Sequence, residues 1–168
     1  MVSVGLTFGM AALLIGGGAT LFMDLWAALQ KRLLGVPSLN YALVGRWIGH
    51  LCLGKFAHEN IAAAPAIHGE TALGWVAHYA IGIVFAAVLL AICGLEWAHS
   101  PTAGPALLVG IGSVAAPFLI LQPGMGAGIA ASKTSQPNVS RLRSLAAHTS
   151  FGIGLYVSAL IVASLLPA

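Results

Sequence analysis

Five side chains with the capacity for metal or acid–base chemistry lie in or beside hydrophobic stretches of this chain. They are Asp24, His50, His58, His78 and His148. Imidazole and carboxylate groups are ligands that zinc, iron and copper accept, and imidazole titrates near neutral pH. Ionisable groups inside membrane helices are costly, so they usually face the bundle interior and serve a function.

The predicted helices place three of these residues at a similar depth. Asp24, His78 and His148 lie about 10, 12 and 7.5 Å from the nearest charged residue that flanks each helix, at a rise of about 1.5 Å per residue. Gln122 lies near the same end of another predicted helix. We therefore expect Asp24, His78 and His148 to bind a metal ion near one membrane face.

His50 and His58 are predicted to share one narrow arc of a helix with Trp47 and Gly54, at 100° per residue. We expect the two histidines to cover the cluster and contribute to cofactor binding. In a haem version of the site, two histidines from different helices are the axial ligands. A simpler interpretation, in which each histidine only hydrogen-bonds to a neighbouring helix, stays open.

The segment from Gln122 to Gly128, QPGMGAG, is the second unusual feature. Proline removes a backbone donor and glycine permits unusual backbone angles, so a regular helix is not expected to continue through it. Broken helices bind ions or polar substrates in transporters, which makes Gln122, Pro123, Gly124 and Gly126 candidates for a substrate path. The alternative is a plain helix end followed by a loop.

Composition defines the environment in which these residues must work. The chain has 168 residues, of which 59% are hydrophobic and 7% charged, and its mean hydropathy is +0.96. Soluble domains carry about 25% charged residues, so the sequence predicts an integral membrane protein. The net charge of +3 favours contact with anionic lipid headgroups and does not indicate nucleic-acid binding.

Spanning the hydrocarbon takes about 20 apolar residues in a helix, and four stretches meet that need. They are Val4 to about Leu29, about Leu73 to Leu95, Pro105 to at least Leu121, and about Leu145 to Leu166. The polar stretch Asn40–Ile61 is predicted to form an interfacial helix. The fold class is therefore an all-α bundle of four transmembrane helices plus one interfacial helix, in a single domain over residues 1–168; five transmembrane helices are the alternative.

The four-span model places all Lys and Arg residues on the cytoplasmic side, as the positive-inside rule favours. Both termini then lie outside. Cys52 is expected on the cytoplasmic side and Cys93 near the outer end of its helix, so the two thiols should not form a disulfide.

Several stretches resemble an uncharacterised bacterial membrane-protein family known as domain of unknown function 2938. The matching stretches are MDLW (23–26), NYALVGRWIGH (40–50), GWVAHY (74–79), APF (116–118), QPGMGAGIAASKT (122–134), and RLRSLAAH with the following FGIGLY (141–156). The resemblance covers nearly the whole chain. It implies a small multi-span protein of the bacterial inner membrane, and it implies no activity.

Three functions are consistent with these features. The first is a metal or haem site, with or without redox activity, formed by the histidines and Asp24. The second is a small oligomeric transporter or channel that uses the QPGMGAG break. The third is an accessory subunit of a larger membrane complex. No HExxH, GxSxG or CxxCH motif is present, so the sequence does not decide whether the protein is an enzyme.

Overall fold

The computed structural model describes residues 4–164, with side chains described from residue 7. This part of the chain contains helices, turns and loops and no β-strand. In chain order the helices are α1 (Val4–Leu34), α2 (Tyr41–Cys52), α3 (Glu70–Cys93), α4 (Glu96–His99), α5 (Ala103–Gly112), α6 (Gln122–Gly124) and α7 (Pro137–Ala163). A π-helical segment, Pro117–Leu121, precedes α6, and 3₁₀ turns occupy Ile61–Ala63 and Ile129–Ala131.

Four helical stretches of the described chain are long and apolar enough to cross a membrane. They are Thr7–Leu34, Glu70–Cys93, Ala103–Gly124 and Pro137–Ala163. The short helix α2 has 12 residues, and at about 1.5 Å per residue it extends about 18 Å, well below the hydrocarbon thickness of about 30 Å. The prediction of an all-α fold with four membrane-length helices is confirmed, whereas the placement of α2 in the membrane interface stays a prediction.

Two boundaries differ from the sequence-based expectation. α7 begins at Pro137, eight residues before the start of the apolar run near Leu145 from which the span was predicted. Proline is favoured at the first helical position, where its missing N–H has no intrahelical partner to lose and its φ is preset. α2 ends at Cys52, after which Gly54 adopts φ +78° and its N–H donates to the carbonyl of Leu51. His58 therefore does not lie on the helix that carries His50.

The third span, Ala103–Gly124, is irregular along its second half. α5 ends at Gly112, and five residues from Pro117 onward are π-helical. Pro117 lacks the N–H that would bond to the Ser113 carbonyl four residues earlier, which explains the loss of regular α-helix at this point. Single π-helical turns inside α-helices are frequent at functional sites.

The chain divides into two compact units. Unit 1 comprises residues 1–37, 79–113 and 147–168, and unit 2 comprises residues 38–78 and 114–146. The prediction of one domain over the whole chain stays a prediction.

Unit 1 is a close-packed bundle of apolar helices with many small residues. Its buried core is Ala11, Ala12, Ile15, Ala19, Ala86, Leu89, Leu90, Trp97, Ala98, Ala106, Phe151, Leu155, Ala159 and Val162. A Cβ added at Gly110 would collide with the backbone of Gly152, and one added at Gly16 would meet the backbone of Ile83. Small residues let the backbones of adjacent helices approach closely, as is typical of membrane helices.

In unit 2, α2 packs against the start of α3. A Cβ at Gly45 would collide with the Glu70 carbonyl, and one at Gly74 would collide with the Tyr41 carbonyl. The rest of the unit is less regular, because two non-helical segments, residues 53–69 and 125–136, account for a large part of it. These loops carry most of the polar contacts described next.

Candidate functional site

Two buried histidines form the centre of unit 2. Nδ1 of His50 lies 2.8 Å from Nε2 of His58, and the rings are stacked with centroids 4.9 Å apart. Only 6% of His50 and 8% of His58 is exposed. His50 comes from the last turn of α2, whereas His58 comes from the following loop, which returns after the turn at Gly54.

The hydrogen bonds assign the tautomers of the neutral pair. Nδ1 of His58 lies 3.3 Å from the Gly124 carbonyl, which can only accept, so this nitrogen carries the proton. Nε2 of His58 then accepts from the Nδ1–H of His50. As a result, Nε2 of His50 carries a lone pair, which can accept a proton or bind a metal ion.

Backbone hydrogen bonds join the His58 loop to the turn after α6. The His58 N–H donates to the Gly124 carbonyl at 2.9 Å, and the Ile61 N–H donates to the Met125 carbonyl at 3.1 Å. Gly126 has φ +96°, and a Cβ there would collide with the Glu59 carbonyl. Two non-helical segments thus satisfy each other's backbone groups, as buried irregular backbone requires.

Trp47 supports the same loop from α2. Its Nε1–H donates to the Phe56 carbonyl at 3.0 Å, and its indole ring lies where a Cβ on Gly124 would be. The glycine of the predicted break is therefore required by close packing against an aromatic ring. It also lets the backbone of the turn approach His58.

Arg46 fixes the other end of the loop. Its guanidinium forms two 2.8 Å bonds to the carboxylate of Glu70 and donates to the carbonyls of Ile61, Ala62 and Ala64 at 3.4, 3.2 and 3.0 Å. The hydrogen bond to the Glu70 carboxylate raises the pKa of the Arg46 guanidinium. Sequence reasoning treated Arg46 only as a cytoplasmic charge, since nothing in the local pattern indicates a partner 24 residues away.

Gln122, predicted to line a substrate path, has an incompletely satisfied side chain. Its Nε2 donates to the Ser144 hydroxyl at 3.3 Å, while its Oε1 is buried and has no hydrogen-bond partner. A buried carbonyl without a donor is costly. The arrangement leaves one acceptor available to a water molecule or a polar solute.

Pro123, Gly124 and Gly126, also predicted for the path, lie at the end of α6 and in the turn that follows. The regular helix stops at Gly124. The QPGMGAG segment is thus a helix end after a π-helical segment, followed by a structured loop.

The predicted metal ligands each have a local partner. In unit 1, Asp24 accepts from the Tyr79 hydroxyl at 3.1 Å, and Nδ1 of His148 lies 2.7 Å from the Ser113 hydroxyl. Ser113 already donates to the Gly110 carbonyl at 2.6 Å, so the Nδ1–H of His148 must be the donor to Ser113.

In unit 2, Nε2 of His78 lies 2.9 Å from the Tyr41 hydroxyl, and the rings of Tyr41 and Trp75 are 4.2 Å apart. Tyr41 was not singled out from the sequence, and neither was Ser113. Both are recognisable only through the histidine that each contacts.

No group of three or more His, Cys, Asp or Glu side chains that could hold a metal ion occurs in the part of the chain that the structure describes. The pair that comes together is His50 and His58, from the set expected to cover the cluster. The assignment of Asp24, His78 and His148 as metal ligands stays a prediction, as does the presence of haem.

The fold and this site define a class of small helical proteins with four membrane-length apolar helices and a polar, irregular unit that contains a histidine pair. Residues 13–162 match the model of a family described as "Protein of unknown function (DUF2938)", and the chain belongs to that family. No curated protein and no solved structure matches the chain.

Proposed function

We propose that this protein is a membrane transport protein that moves protons or a small polar solute, with the His50–His58 pair as its proton-carrying element. The observation that carries the proposal is the 2.8 Å contact between ring nitrogens of two buried imidazoles. Histidine is the side chain whose ordinary pKa is suited to gaining and losing a proton near neutral pH. Only four Asp and Glu residues are present, so a relay of several carboxylates is not available.

The pair can pass a proton in defined steps. A proton that binds to Nε2 of His50 makes that ring an imidazolium. Its Nδ1 proton can then move along the hydrogen bond to Nε2 of His58, which returns His50 to a neutral ring. His58 can then release its own Nδ1 proton to a water molecule in the cleft that it lines, because the 3.3 Å contact with the Gly124 carbonyl holds that proton only weakly. Both rings must then rotate to restore the starting tautomers before the next transfer.

The backbone around the pair supports transport. Non-helical backbone in a membrane protein is tolerated where it is buried in protein or lines a water-filled cavity, and transporters use such segments to bind substrates. The Oε1 atom of Gln122 is an unpartnered acceptor in this unit and suits a solute that donates a hydrogen bond.

The direct test is proton flux into liposomes that contain the purified protein and a trapped pH-sensitive dye, driven by a potassium gradient with valinomycin. We expect His50→Gln and His58→Gln each to reduce flux to the level of empty vesicles. The matched control is His68→Gln, because His68 is an exposed loop residue of the same unit. Full flux in both pair variants would exclude the proposed relay.

A metal site is the second candidate, and the same pair favours it. Two zinc-bound nitrogens at about 2.0–2.1 Å from the metal lie about 3.3 Å apart in tetrahedral geometry, so a shift of about half an ångström would convert the 2.8 Å contact into two ligands. Elemental analysis of untagged protein tests this candidate. About one zinc, copper or iron per chain, lost in His50→Gln and retained in His68→Gln, is the expected result.

The same analysis separates the pair from the site first predicted. Metal lost in His78→Ala and His148→Ala, with His50→Gln unaffected, would support Asp24, His78 and His148 as ligands. Iron together with a Soret absorption band would identify haem. If no preparation contains metal after growth with added metal salts, neither the His50–His58 pair nor the Asp24, His78 and His148 set is a metal site.

We place this activity in the bacterial inner membrane, with both termini outside. Four spans make a thin wall for a transport path, so we propose a homo-oligomer in the lipid bilayer. Cross-linking in native membranes tests this point, and a monomer at all protein concentrations would contradict it. Copurification of a different membrane protein at fixed stoichiometry would instead favour an accessory subunit.

A further inference from the structure

An open cleft of about 400 Å³ lies beside His58 in unit 2. His58, Ser132 and Lys133 provide its polar side chains, and the glycine-rich turn provides much of the remaining wall. The cleft is open to solvent, so it would enclose a small ligand only in part. The cleft thus combines an imidazole, a hydroxyl and an ammonium group around one space.

Lys133 is an uncompensated cation. Its ammonium forms no hydrogen bond or ion pair within the described residues, among which Arg46–Glu70 is the one side-chain ion pair. Glu59, the one other acidic residue of unit 2, lines a neighbouring cleft that shares Ala57 and His58 with this one. Lys133 and Ser132 are both exposed, so their side chains are accessible to a ligand from solution.

The charge of the whole chain points to the same unit. Unit 2 carries five Lys and Arg residues against two acidic residues, which is the full formal charge of +3, whereas unit 1 carries two of each sign. Clefts lined by one sign of charge raise the local concentration of the opposite ion. The net positive charge of unit 2 favours an anion over a cation as the ligand of this cleft.

The turn that carries Lys133 is held in a strained conformation. Ala130 and Ala131 have φ of +47° and +58°, a region that costs a non-glycine residue about 1–2 kcal/mol. Arg141 donates to the Ala130 carbonyl and Thr134 to the Ala131 carbonyl, both at 2.8 Å. Strain of this kind persists where surrounding contacts impose it, and it occurs often at ligand-binding segments.

We infer that this cleft binds an oxyanion of the phosphate class, with Lys133 as the counter-ion and Ser132 as a hydroxyl donor. Lysine binds phosphate groups as a point charge. His58 contributes only its positive charge when it is protonated, because its two ring nitrogens face His50 and the Gly124 carbonyl. The bound group is either a free anion or the headgroup of an anionic lipid.

The inference rests on the proposed transport function and specifies the solute, since an anion in the cleft lies beside the histidine that is proposed to carry the proton. Moving a proton together with a monovalent anion carries no net charge, so coupled flux is driven by a phosphate gradient across the vesicles instead of by the valinomycin potential. That coupling links the anion site to the His50–His58 pair without requiring any further acidic residue.

The first experiment measures binding of inorganic phosphate to the full chain in nanodiscs of zwitterionic lipid by isothermal titration calorimetry. Wild type is compared with Lys133→Gln and with the matched control Lys55→Gln, in which an exposed lysine of the same unit lies outside the cleft. We expect Lys133→Gln to weaken phosphate binding by about tenfold or more, as for a lost charge-assisted hydrogen bond, and Lys55→Gln to leave it unchanged.

The second arm measures anionic lipid that remains with the purified protein after extraction from phosphatidylglycerol-containing membranes. Lipid retained by wild type and Lys55→Gln, but lost from Lys133→Gln, would identify a headgroup as the ligand. Binding of inorganic phosphate in zwitterionic discs would identify a free anion. Equal effects of the two substitutions, or no binding in either arm, would overturn the inference.

Proton flux separates this inference from the proposed function. If proton flux depends on His50 and His58 but no anion binds, the anion site is excluded and the transport function is retained. If an anion binds specifically but no flux is measured, the transport function is excluded and the anion site is retained. The two failures therefore give different results.

Discussion

Chain segments pack closely in both units, but the interactions that hold them together differ between unit 1 and unit 2. Unit 1 buries alanine, glycine and a few larger apolar residues, and its charged side chains cancel. Unit 2 joins irregular segments through an ion pair, a histidine pair and backbone hydrogen bonds between loops. The polar contacts of unit 2 can exchange protons or bind ions, whereas the apolar contacts of unit 1 can only hold helices together.

The difference also separates stability from function. In a membrane, helix association depends on van der Waals packing and hydrogen bonds, because lipid tails are as apolar as the side chains. Substitutions in unit 1 should therefore act mainly on stability. Substitutions in unit 2 should alter loop order and activity while the bundle of unit 1 remains folded.

The largest stability effect is expected from Gly110→Ala in unit 1. The new Cβ would collide with the Gly152 backbone, which cannot move without separating two helices, and we expect a loss of about 3 kcal/mol or protein that does not fold. Denaturation in mild detergent measures the effect. Gly9→Ala is the control, because a Cβ there meets no atom within 4 Å. Equal stability of the two variants would refute close packing at Gly110.

A large local effect is expected from Arg46→Gln in unit 2. The change removes both bonds to Glu70 and the donors to three loop carbonyls, so residues 53–69 should become accessible to limited proteolysis. Arg143→Gln makes the same change at an exposed position and should leave the digestion pattern unaltered. Arg46→Lys should restore the charge without the two-bond geometry, and thus only part of the protection. An unchanged pattern in Arg46→Gln would show that Arg46 does not hold the loop.

A smaller effect is expected from Ser113→Ala in unit 1. Ser113 accepts from His148 and donates to the Gly110 carbonyl, so its loss should cost about 1–2 kcal/mol. A double-mutant cycle with His148→Gln measures the coupling. Strictly additive effects would indicate that the two side chains do not interact.

The smallest perturbation, a single cysteine substitution, tests on which side of the membrane Cys52 and Cys93 lie. Cys52 and Cys93 are both free thiols, and single-cysteine variants, Cys93→Ser and Cys52→Ser, keep one thiol each. In intact cells a membrane-impermeant maleimide should label Cys93 and not Cys52. Labelling of Cys52 from outside would contradict the four-span topology with the cations inside.

Prediction from sequence succeeded where a property depends on length and composition. The four membrane-length helices follow from runs of apolar residues, and the charges of Asn40–Ile61 indicate that this stretch is not a fifth span. The sequence pattern predicts that His50 and His58 lie close together because they share one face of a helix, and that reason is wrong. The structure ends α2 at Cys52 and returns His58 through a loop. Gly54 is a local signal for a turn. The path of the chain after that turn depends on the later segment against which the loop packs.

What the sequence alone determined is the class of fold, because water and lipid sort residues by polarity over windows of about 20 residues. What only the tertiary structure decided is which polar groups meet. Arg46 donates to Glu70 and to three carbonyls. His58 contacts His50 and Gly124, and His148 donates to Ser113. These partners are separated by 8 to 66 residues. Each polar group needs a partner once it leaves water, and packing alone selects which partner is within reach.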